Sequence, residues 1–443
     1  IQAMLKAPVD LLWNGGIGTY VKAEAETHEQ VGDRSNNGLR VDGKDLRCKV
    51  VGEGGNLGFT QLGRIEYARI GGRLNTDAID NSAGVDCSDH EVNIKIAFRH
   101  IMESGKLTLK RRNGILERMT DEVARLVLRD NILQTQAITT ARIQGVTLLE
   151  SQARMMDAFE QSGLLNRKVE YLPSAKQVTE RKNAGEALTR PELSVLIAYA
   201  KMAIYQDLLD SSFPDEKYLE ADLIRYFPQQ MRKDFAADIG EHRLRREIIA
   251  TAVTNSIVNR AGITFFFQIQ EDTGLPACDI ARAYIVARDA FRVRDLWRDI
   301  EADATIPAAT RAEMFAQISR FLERVVIWML RNLPQPLSID ASMKQLANGI
   351  DGYLAVCDSL ITDTLKRAYL DKKQRFIDMR ASANLSGRIA RLEIASSALD
   401  VVKLAQDYKL DIKQAGTVYF ELGARLRLGW LRREASRMAV ANY

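Results

Sequence analysis

The spacing of apolar positions changes near residue 88. Before that point the pattern predicts short strands, turns and short helices; after it a 3.6-residue period predicts amphipathic helices. An apolar run at 9–13 ends at Asn14-Gly15-Gly16, as a buried strand ends at a loop. A second strand is expected over 46–51, before a glycine-rich segment at 52–58, and a short helix over 60–68.

The longer helices are expected from the second pattern. One begins near Ser88 and runs to about residue 103, and another covers 112–143. Thr189 and Glu192 have capping-box spacing, so a helix begins there. Further long helices are expected through 340–380 and 385–438. Apolar stripes mark two helix faces, at Leu193, Leu196, Ile197, Ala200, Ile204 and Leu208, and at Met314, Ile318, Phe321, Leu322, Val325 and Met329.

Composition narrows the class of protein. The 443 residues are 46% apolar and 27% charged, which is typical of a globular protein and excludes a disordered chain. No stretch approaches the roughly 18 apolar residues of a membrane span, so we expect no membrane protein. The net charge of +4 is too small to predict nucleic-acid binding. The four cysteines are far apart and form no CxxC pair, which favours reduced thiols in a cytoplasmic protein.

Two glycine clusters follow the strand candidates, where α/β proteins place ligands. Half of the 28 glycines lie in residues 1–104. The segment 52–58 imitates a dinucleotide fingerprint, but its last glycine comes one residue too late and no clear acidic partner follows. Nucleotide contact and a plain tight turn both stay open for this segment and for 14–18.

The segment 86–91 gathers a possible nucleophile and possible metal ligands. His90-Glu91 lacks a second histidine four residues on, so no metal is expected. Ser88 and Glu91 have capping-box spacing, so the hydroxyl could serve only its own helix. A helix N-terminus also attracts anions, and Ser88 is therefore a candidate partner for a substrate carboxylate.

Three blocks carry a family resemblance. They are residues 8–22 (PVDLLWNGGIGTYVK), 50–68 (VVGEGGNLGFTQLGRIEYA) and 74–91 (LNTDAIDNSAGVDCSDHE). These blocks resemble the large bacterial NAD-specific glutamate dehydrogenases. Later segments, including TRPEL at 189–193 and NRAG at 259–262, resemble the C-terminal helical region of that family. The resemblance covers essentially the whole chain.

The resemblance implies site residues. Glu53-Gly54-Gly55-Asn56 is similar to the segment whose asparagine meets the nicotinamide in the small glutamate dehydrogenases, and residues 81–88 are similar to the segment whose serine contacts the substrate carboxylate. Ala83 replaces a family glycine, and Asp86 adds a negative charge near Ser88. The implied cofactor-binding residues are Asn14, Gly15, Glu53, Gly54 and Asn56, and the implied substrate-binding residue is Ser88.

The same resemblance implies architecture and activity. A partial Rossmann-like α/β segment at 1–104, the C-terminal part of an NAD-binding catalytic domain, precedes an all-α domain at 105–443. The reaction implied is NAD-dependent conversion of L-glutamate to 2-oxoglutarate and ammonia, in a cytoplasmic homo-oligomer. The family's catalytic lysine and aspartate are expected upstream of Ile1, so we expect this chain to be an incomplete part that is inactive alone.

Other interpretations stay open. The chain could be a non-enzymatic helical assembly or regulatory module with a vestigial nucleotide-binding head. Basic stretches at 106–112 and 243–246 raise nucleic-acid binding, which interspersed acids and the lack of a binding motif disfavour. Within the dehydrogenases, another amino acid could be the substrate.

Overall fold

The chain folds mainly into helices. A computed structural model describes residues 1–431 and residue 434, which fall into two compact units, Ile1–Gln268 and Ile269–Tyr443. The prediction of a mainly helical protein is confirmed. The predicted domain boundary at 104/105 stays a prediction.

The strands lie at the beginning of the first unit. They are β1 (Leu11–Asn14), β2 (Val21–Lys22), β3 (Val41–Asp42) and β4 (Val50–Glu53). β1 pairs in parallel with β4, with Asn14 opposite Glu53, and β2 pairs in parallel with β3. The strands predicted over 9–13 and 46–51 therefore exist, shifted toward the glycine-rich loops. The prediction that the first is buried is wrong, because Leu11 and Trp13 of β1 are exposed. The core beneath them consists of Val21, Val41, Leu46, Cys48, Val51, Phe59, Tyr67 and Leu74.

The rest of the first unit is helical. Its helices are α1 (Gln2–Leu5), α2 (His28–Val31), α3 (Gln61–Arg69), α4 (Asp77–Asp80), α5 (Ser82–Glu103), α6 (Leu109–Gln144), α7 (Leu149–Gln161), α8 (Ala175–Ala184), α9 (Arg190–Leu209), α10 (Glu220–Tyr226), α11 (Gln229–Asp234), α12 (Ala236–Gly240) and α13 (Arg245–Ala261). Helix α14 (Phe265–Thr273) follows. Single 3₁₀ turns cover Arg34–Asn36, Gly43–Asp45, Gly145–Leu148, Phe213–Asp215 and Lys217–Leu219.

Several predicted helices are confirmed. Thr60 caps α3, and α6 covers the helix expected over 112–143. At α9 the Glu192 carboxylate accepts the Thr189 backbone N–H at 2.7 Å, as a capping box requires. The stripe from Leu193 to Leu208 is buried on one face of α9.

The predicted start of α5 is wrong by two turns. The helix begins at Ser82, so Ser88 lies in its second turn and no Ser88–Glu91 capping box forms. The first turn contains Gly84 and Val85. Because both are poor helix formers, the sequence predicted a start later in the chain. Tertiary contacts favour the earlier start, because the Asn131 Nδ2 donates to Ser82 Oγ at 3.0 Å and to the Ile79 carbonyl at 2.8 Å.

Helices are the regular structure of the second unit, and no strand occurs among its described residues. Its helices are α15 (Ala277–Ala290), α16 (Val293–Ala302), α17 (Ala308–Asn332), α18 (Ile339–Val356), α19 (Asp363–Asp378), α20 (Ala383–Ala395), α21 (Ala398–Tyr408) and α22 (Ile412–Arg425), with a 3₁₀ turn at Cys357–Ser359. The predicted stripe from Met314 to Met329 is buried on α17.

The long helices predicted over 340–380 and 385–438 are each interrupted. The turn at Cys357–Ser359 divides the first, and Lys409, with φ 52°, ends α21 within the second. The end of the second predicted helix lies outside the described residues. No described helix is both long and apolar enough to cross a bilayer.

Candidate functional site

The two glycine-rich loops meet at one edge of the β1–β4 sheet. The backbone N–H groups of Gly54 and Gly55 both donate to the Asn14 carbonyl, at 2.9 and 3.0 Å. A Cβ added at Gly55 would lie well inside contact distance of the Gly16 carbonyl oxygen, so only glycine fits there. Because carboxyl ends of parallel strands form this edge, it is where an α/β fold places a ligand.

The side-chain amides of Asn14 and Asn56 differ in their hydrogen bonding. Asn14 Nδ2 is buried without a hydrogen-bond partner and points toward Gly58, where a Cβ would collide with it. Asn56 is exposed, and its Oδ1 accepts from Asn81 Nδ2 at 2.5 Å. The amide of Asn14 therefore has a free donor at the loop edge, and Asn56 is held in place by the start of the α5 segment.

Glu53 has a different environment. Its side chain is 0% exposed and receives two hydrogen bonds from Arg64, Nε to Oε1 at 2.7 Å and Nη2 to Oε2 at 2.9 Å. Arg64 also lies 3.2 Å from Asp77 Oδ1. The backbone N–H of Glu53 donates to Asp80 Oδ2 at 3.1 Å. Neither the carboxylate nor the backbone N–H of Glu53 is therefore available to a ligand.

Ser88 lies on the exposed face of α5. A cavity of about 470 Å³ is lined on this helix by Ser82, Val85, Asp86 and Asp89. Ser88 is not among the lining residues, but it neighbours Val85 one turn along the helix. Ser88 comes two residues after Asp86, which rotates it about 200° around the helix. The negative charge of Asp86 therefore points away from Ser88.

The cavity joins the loop side of the unit to its helical side. Asn56 and α5 contribute one wall, while α6, α9 and α13 contribute Asp130, Gln134, Lys201, Asn255 and Asn259. Residues beyond 104 thus complete a cavity that begins at a predicted cofactor residue. Sequence reasoning missed them, because no local motif marks residues that meet across 70 to 200 positions.

Burial perturbs the titration of the cavity groups. Desolvation, reinforced by Asp130 and Asp89, raises the pKa of Asp86 to about 7. Desolvation also lowers the pKa of Lys201 to about 8, although Asp130 and Asp86 oppose it. Lys201 Nζ donates to Gln134 Oε1 at 3.0 Å. Four aspartates and one lysine line the cavity, so its charge suits a cation rather than a carboxylate.

Cys87 gives a chemical probe of the exposed face of α5. Cys87 is exposed, whereas Cys357 is buried, and burial raises the pKa of the Cys357 thiol to about 11. A thiol with that pKa is only about one part in a thousand thiolate at pH 8, and the thiolate is the nucleophile. We therefore expect iodoacetamide at pH 8 to alkylate Cys87 well before Cys357, measured by peptide mass spectrometry.

Alkylation of Cys357 should become faster as the pH rises. Raising the pH from 8 to 10 increases the Cys357 thiolate fraction about a hundredfold, because both values lie below its pKa. Denaturation in guanidinium should remove the difference between the two thiols and serves as the control. Equal labelling rates in the native protein would contradict this arrangement.

Comparison with protein families places the chain. Residues 185–443 match the family described as glutamate dehydrogenase, C-terminal. The chain belongs to this glutamate dehydrogenase family. Residues 1–141 match a second description, the catalytic domain of bacterial NAD-glutamate dehydrogenase. The resemblance noted from the three sequence blocks is thereby confirmed.

Curated members of the glutamate dehydrogenase family align with nearly the whole chain. The NAD-specific glutamate dehydrogenase of Pseudomonas aeruginosa is 40% identical over 443 residues, covering 100% of this chain and 27% of that protein. That of Halomonas elongata is 39% identical, covering 100% and 27%. That of Mycobacterium tuberculosis is 40% identical, covering 96% and 26%. The chain thus spans about a quarter of the length of these relatives.

Proposed function

We propose that this chain is the C-terminal part of an NAD-dependent glutamate dehydrogenase that converts L-glutamate to 2-oxoglutarate and ammonia. The observation that carries the proposal is the meeting of the two glycine-rich loops beside the helix that bears Ser88. The relatives of this family carry the name NAD-specific glutamate dehydrogenase, which supports NAD and glutamate as ligands.

The loop edge fits a dinucleotide. The Trp13 indole packs against Gly15 and Gly54, so a ligand would reach their backbone from another side, where the unpartnered Asn14 Nδ2 supplies a buried donor. Asn56 would contact the nicotinamide side. Glu53 would contribute its backbone carbonyl, because Arg64 engages its side chain and Asp80 accepts its N–H. We propose that β1, β4 and these loops are the last part of a Rossmann-like domain, within residues 1–104.

Ser88 would bind the side-chain carboxylate of glutamate. Its hydroxyl is exposed and lies about 200° around α5 from Asp86, so a carboxylate bound there points away from Asp86. NAD, when bound, supplies the hydride acceptor. The role of this chain is then to orient the nicotinamide through Asn56 and the substrate through Ser88.

Other parts of the proposal concern the longer protein. The family's catalytic lysine and aspartate would lie outside these residues, so we propose that the 443-residue chain is inactive alone. We propose a cytoplasmic homo-oligomer, with residues 105–443 serving assembly or regulation. The four free thiols fit a reducing compartment. Light scattering that shows a monomer for the longer enzyme would contradict the oligomer.

The function is tested in the longer enzyme that contains this chain. Ser88→Ala should raise the KM for glutamate about tenfold and leave the KM for NAD nearly unchanged, since one hydrogen bond to a charged group is lost. Asn56→Ala should instead raise the KM for NAD. Steady-state kinetics with each substrate varied in turn separates the two effects.

Two controls sharpen this test. Ser88→Thr keeps the hydroxyl and should retain most of the glutamate affinity, and Ser162→Ala removes an exposed hydroxyl at the end of α7 and should change neither constant. A helical scaffold with a vestigial head predicts no effect of Ser88→Ala or Asn56→Ala. NAD reduction by the 443-residue chain alone would contradict its proposed inactivity.

A further inference from the structure

A buried histidine without hydrogen-bond partners lies behind the predicted substrate face of α5. His90 is 2% exposed, and neither of its ring nitrogens has a partner. Its ring stacks on Tyr226, with centroids 4.4 Å apart and planes 15° from parallel. Buried polar groups are normally hydrogen-bonded, so this imidazole is held in place by stacking yet lacks a partner for its nitrogens.

Two carboxylates lie beside this imidazole. The ligand atoms of Asp86, His90 and Asp130 all lie within 4.8 Å of one another. Asp86 and His90 are four residues apart on α5, so they share one helix face, and Asp130 comes from α6. Asp86 Oδ2 is also buried without a partner. Potential metal-ligand atoms of three residues thus converge from two helices, and two of these residues, Asp86 and His90, have buried atoms without hydrogen-bond partners.

The surrounding cavity also favours a cation. Asp77 and Asp89 add negative charge to its wall, and Lys201 is its single basic residue. Asn259 Oδ1, another oxygen of a lining residue, is buried without a partner. Lys201 donates to Gln134, and no ion pair within 4 Å joins it to Asp86 or Asp130 in the described part of the chain.

We propose that Asp86, His90 and Asp130 bind one divalent transition-metal ion, with Zn²⁺ as the ion to be tested. An imidazole with two carboxylates suits zinc and its neighbours, whereas Mg²⁺ and Ca²⁺ prefer oxygen ligands alone. The cavity of about 470 Å³ has room for water ligands at the remaining coordination positions. The ion would join α5 to α6 and fix the helix that carries Ser88.

The proposal revises the expectation that residues 86–91 hold no metal. That expectation considered only ligands close in sequence and found no second histidine. Asp130 lies 40 positions beyond His90, where spacing within a motif gives no information about proximity. The metal site is independent of the dehydrogenase proposal, since neither its ligands nor its test involve NAD or glutamate.

Metal binding is tested on the 443-residue chain, stripped with a chelator and then dialysed against Zn²⁺ alone. Each variant is made in a Cys87→Ser background, which removes the exposed Cys87 thiol, because thiolates are zinc ligands in their own right. We expect one Zn²⁺ per chain by elemental mass spectrometry. Asp130→Asn and His90→Gln should each weaken binding at least tenfold, because loss of even an outer-shell partner costs 10–100-fold.

Matched controls lie on the same helices. Asp121→Asn on α6 and His100→Gln on α5 alter exposed residues and should bind zinc like the parent. Asp130→Asn is isosteric and relieves like-charge repulsion, so it should fold, as circular dichroism would verify. Binding of Co²⁺ should produce visible absorption bands that Asp130→Asn abolishes. A parent that retains no zinc, or an Asp130→Asn variant that retains as much as the parent, overturns the proposal.

Discussion

Replacing Arg64 with methionine should lower the free energy of unfolding of the first unit by about 3–5 kcal/mol, the usual cost of removing one partner from a buried ion pair. Methionine has a similar length, so the loss is one of charge and hydrogen bonds rather than of volume. The Glu53 carboxylate, 0% exposed, would be left without its two charge-assisted hydrogen bonds. Asp77 and Asp80 lie close enough to add repulsion.

The measurement is urea unfolding followed by circular dichroism, with hydrogen exchange of peptides covering β4 and α3 to locate the loss. Arg69→Met is the matched control, because Arg69 lies on the same helix but is exposed. The double variant Arg64→Met/Glu53→Met should lose less than the single one, since both charges leave together. A loss below about 1 kcal/mol for Arg64→Met would show that the pair is not desolvated as described.

Replacing Gly55 with alanine should weaken NAD binding by the longer enzyme about 30-fold, or about 2 kcal/mol. The backbone of Gly55 is not in the left-handed region, so the cost comes from space alone. The added Cβ must displace the Gly16 carbonyl, which strains the Gly54 and Gly55 hydrogen bonds to Asn14. Each such bond contributes about 0.5–1.5 kcal/mol, and the two loops would separate where the cofactor is proposed to lie.

Isothermal titration with NAD checks this expectation. Gly38→Ala is a suitable control, because no atom lies within 4 Å of its added Cβ and its φ is also unstrained. Gly38→Ala should bind NAD like the parent. Unchanged NAD affinity in Gly55→Ala would show that the meeting point of the loops is not part of the cofactor site.

Local signals predicted local structure well. The Thr189–Glu192 spacing located the start of α9, and the stripe from Met314 to Met329 identified the buried face of α17. These signals succeed because a capping bond and a helix face involve residues three or four positions apart. The start of α5 was missed because contacts from Asn131, about 50 positions away, stabilise a first turn of poor helix formers.

In the candidate site, too, local features were predictable from the sequence and contacts between distant residues were not. The glycine clusters after the two strands identified the loops, because strand ends and ligand approach both leave local marks in sequence. The sequence did not indicate that the Glu53 side chain is occupied by Arg64, or that Asp130 and Lys201 reach the cavity beside Asn56. Those contacts depend on how helices pack, and packing is not encoded in the spacing of neighbouring residues.

The pairing of β1 has a practical consequence for handling the protein. Among the described residues β1 is hydrogen-bonded to β4 alone, so the backbone groups along its other edge are unpaired. Leu11 is 56% exposed and Trp13 61% exposed on this strand. An apolar strand with an open edge is a template for strand addition by another copy. Concentrated solutions of the 443-residue chain are therefore prone to self-association, and its ligand affinities are best measured at high dilution.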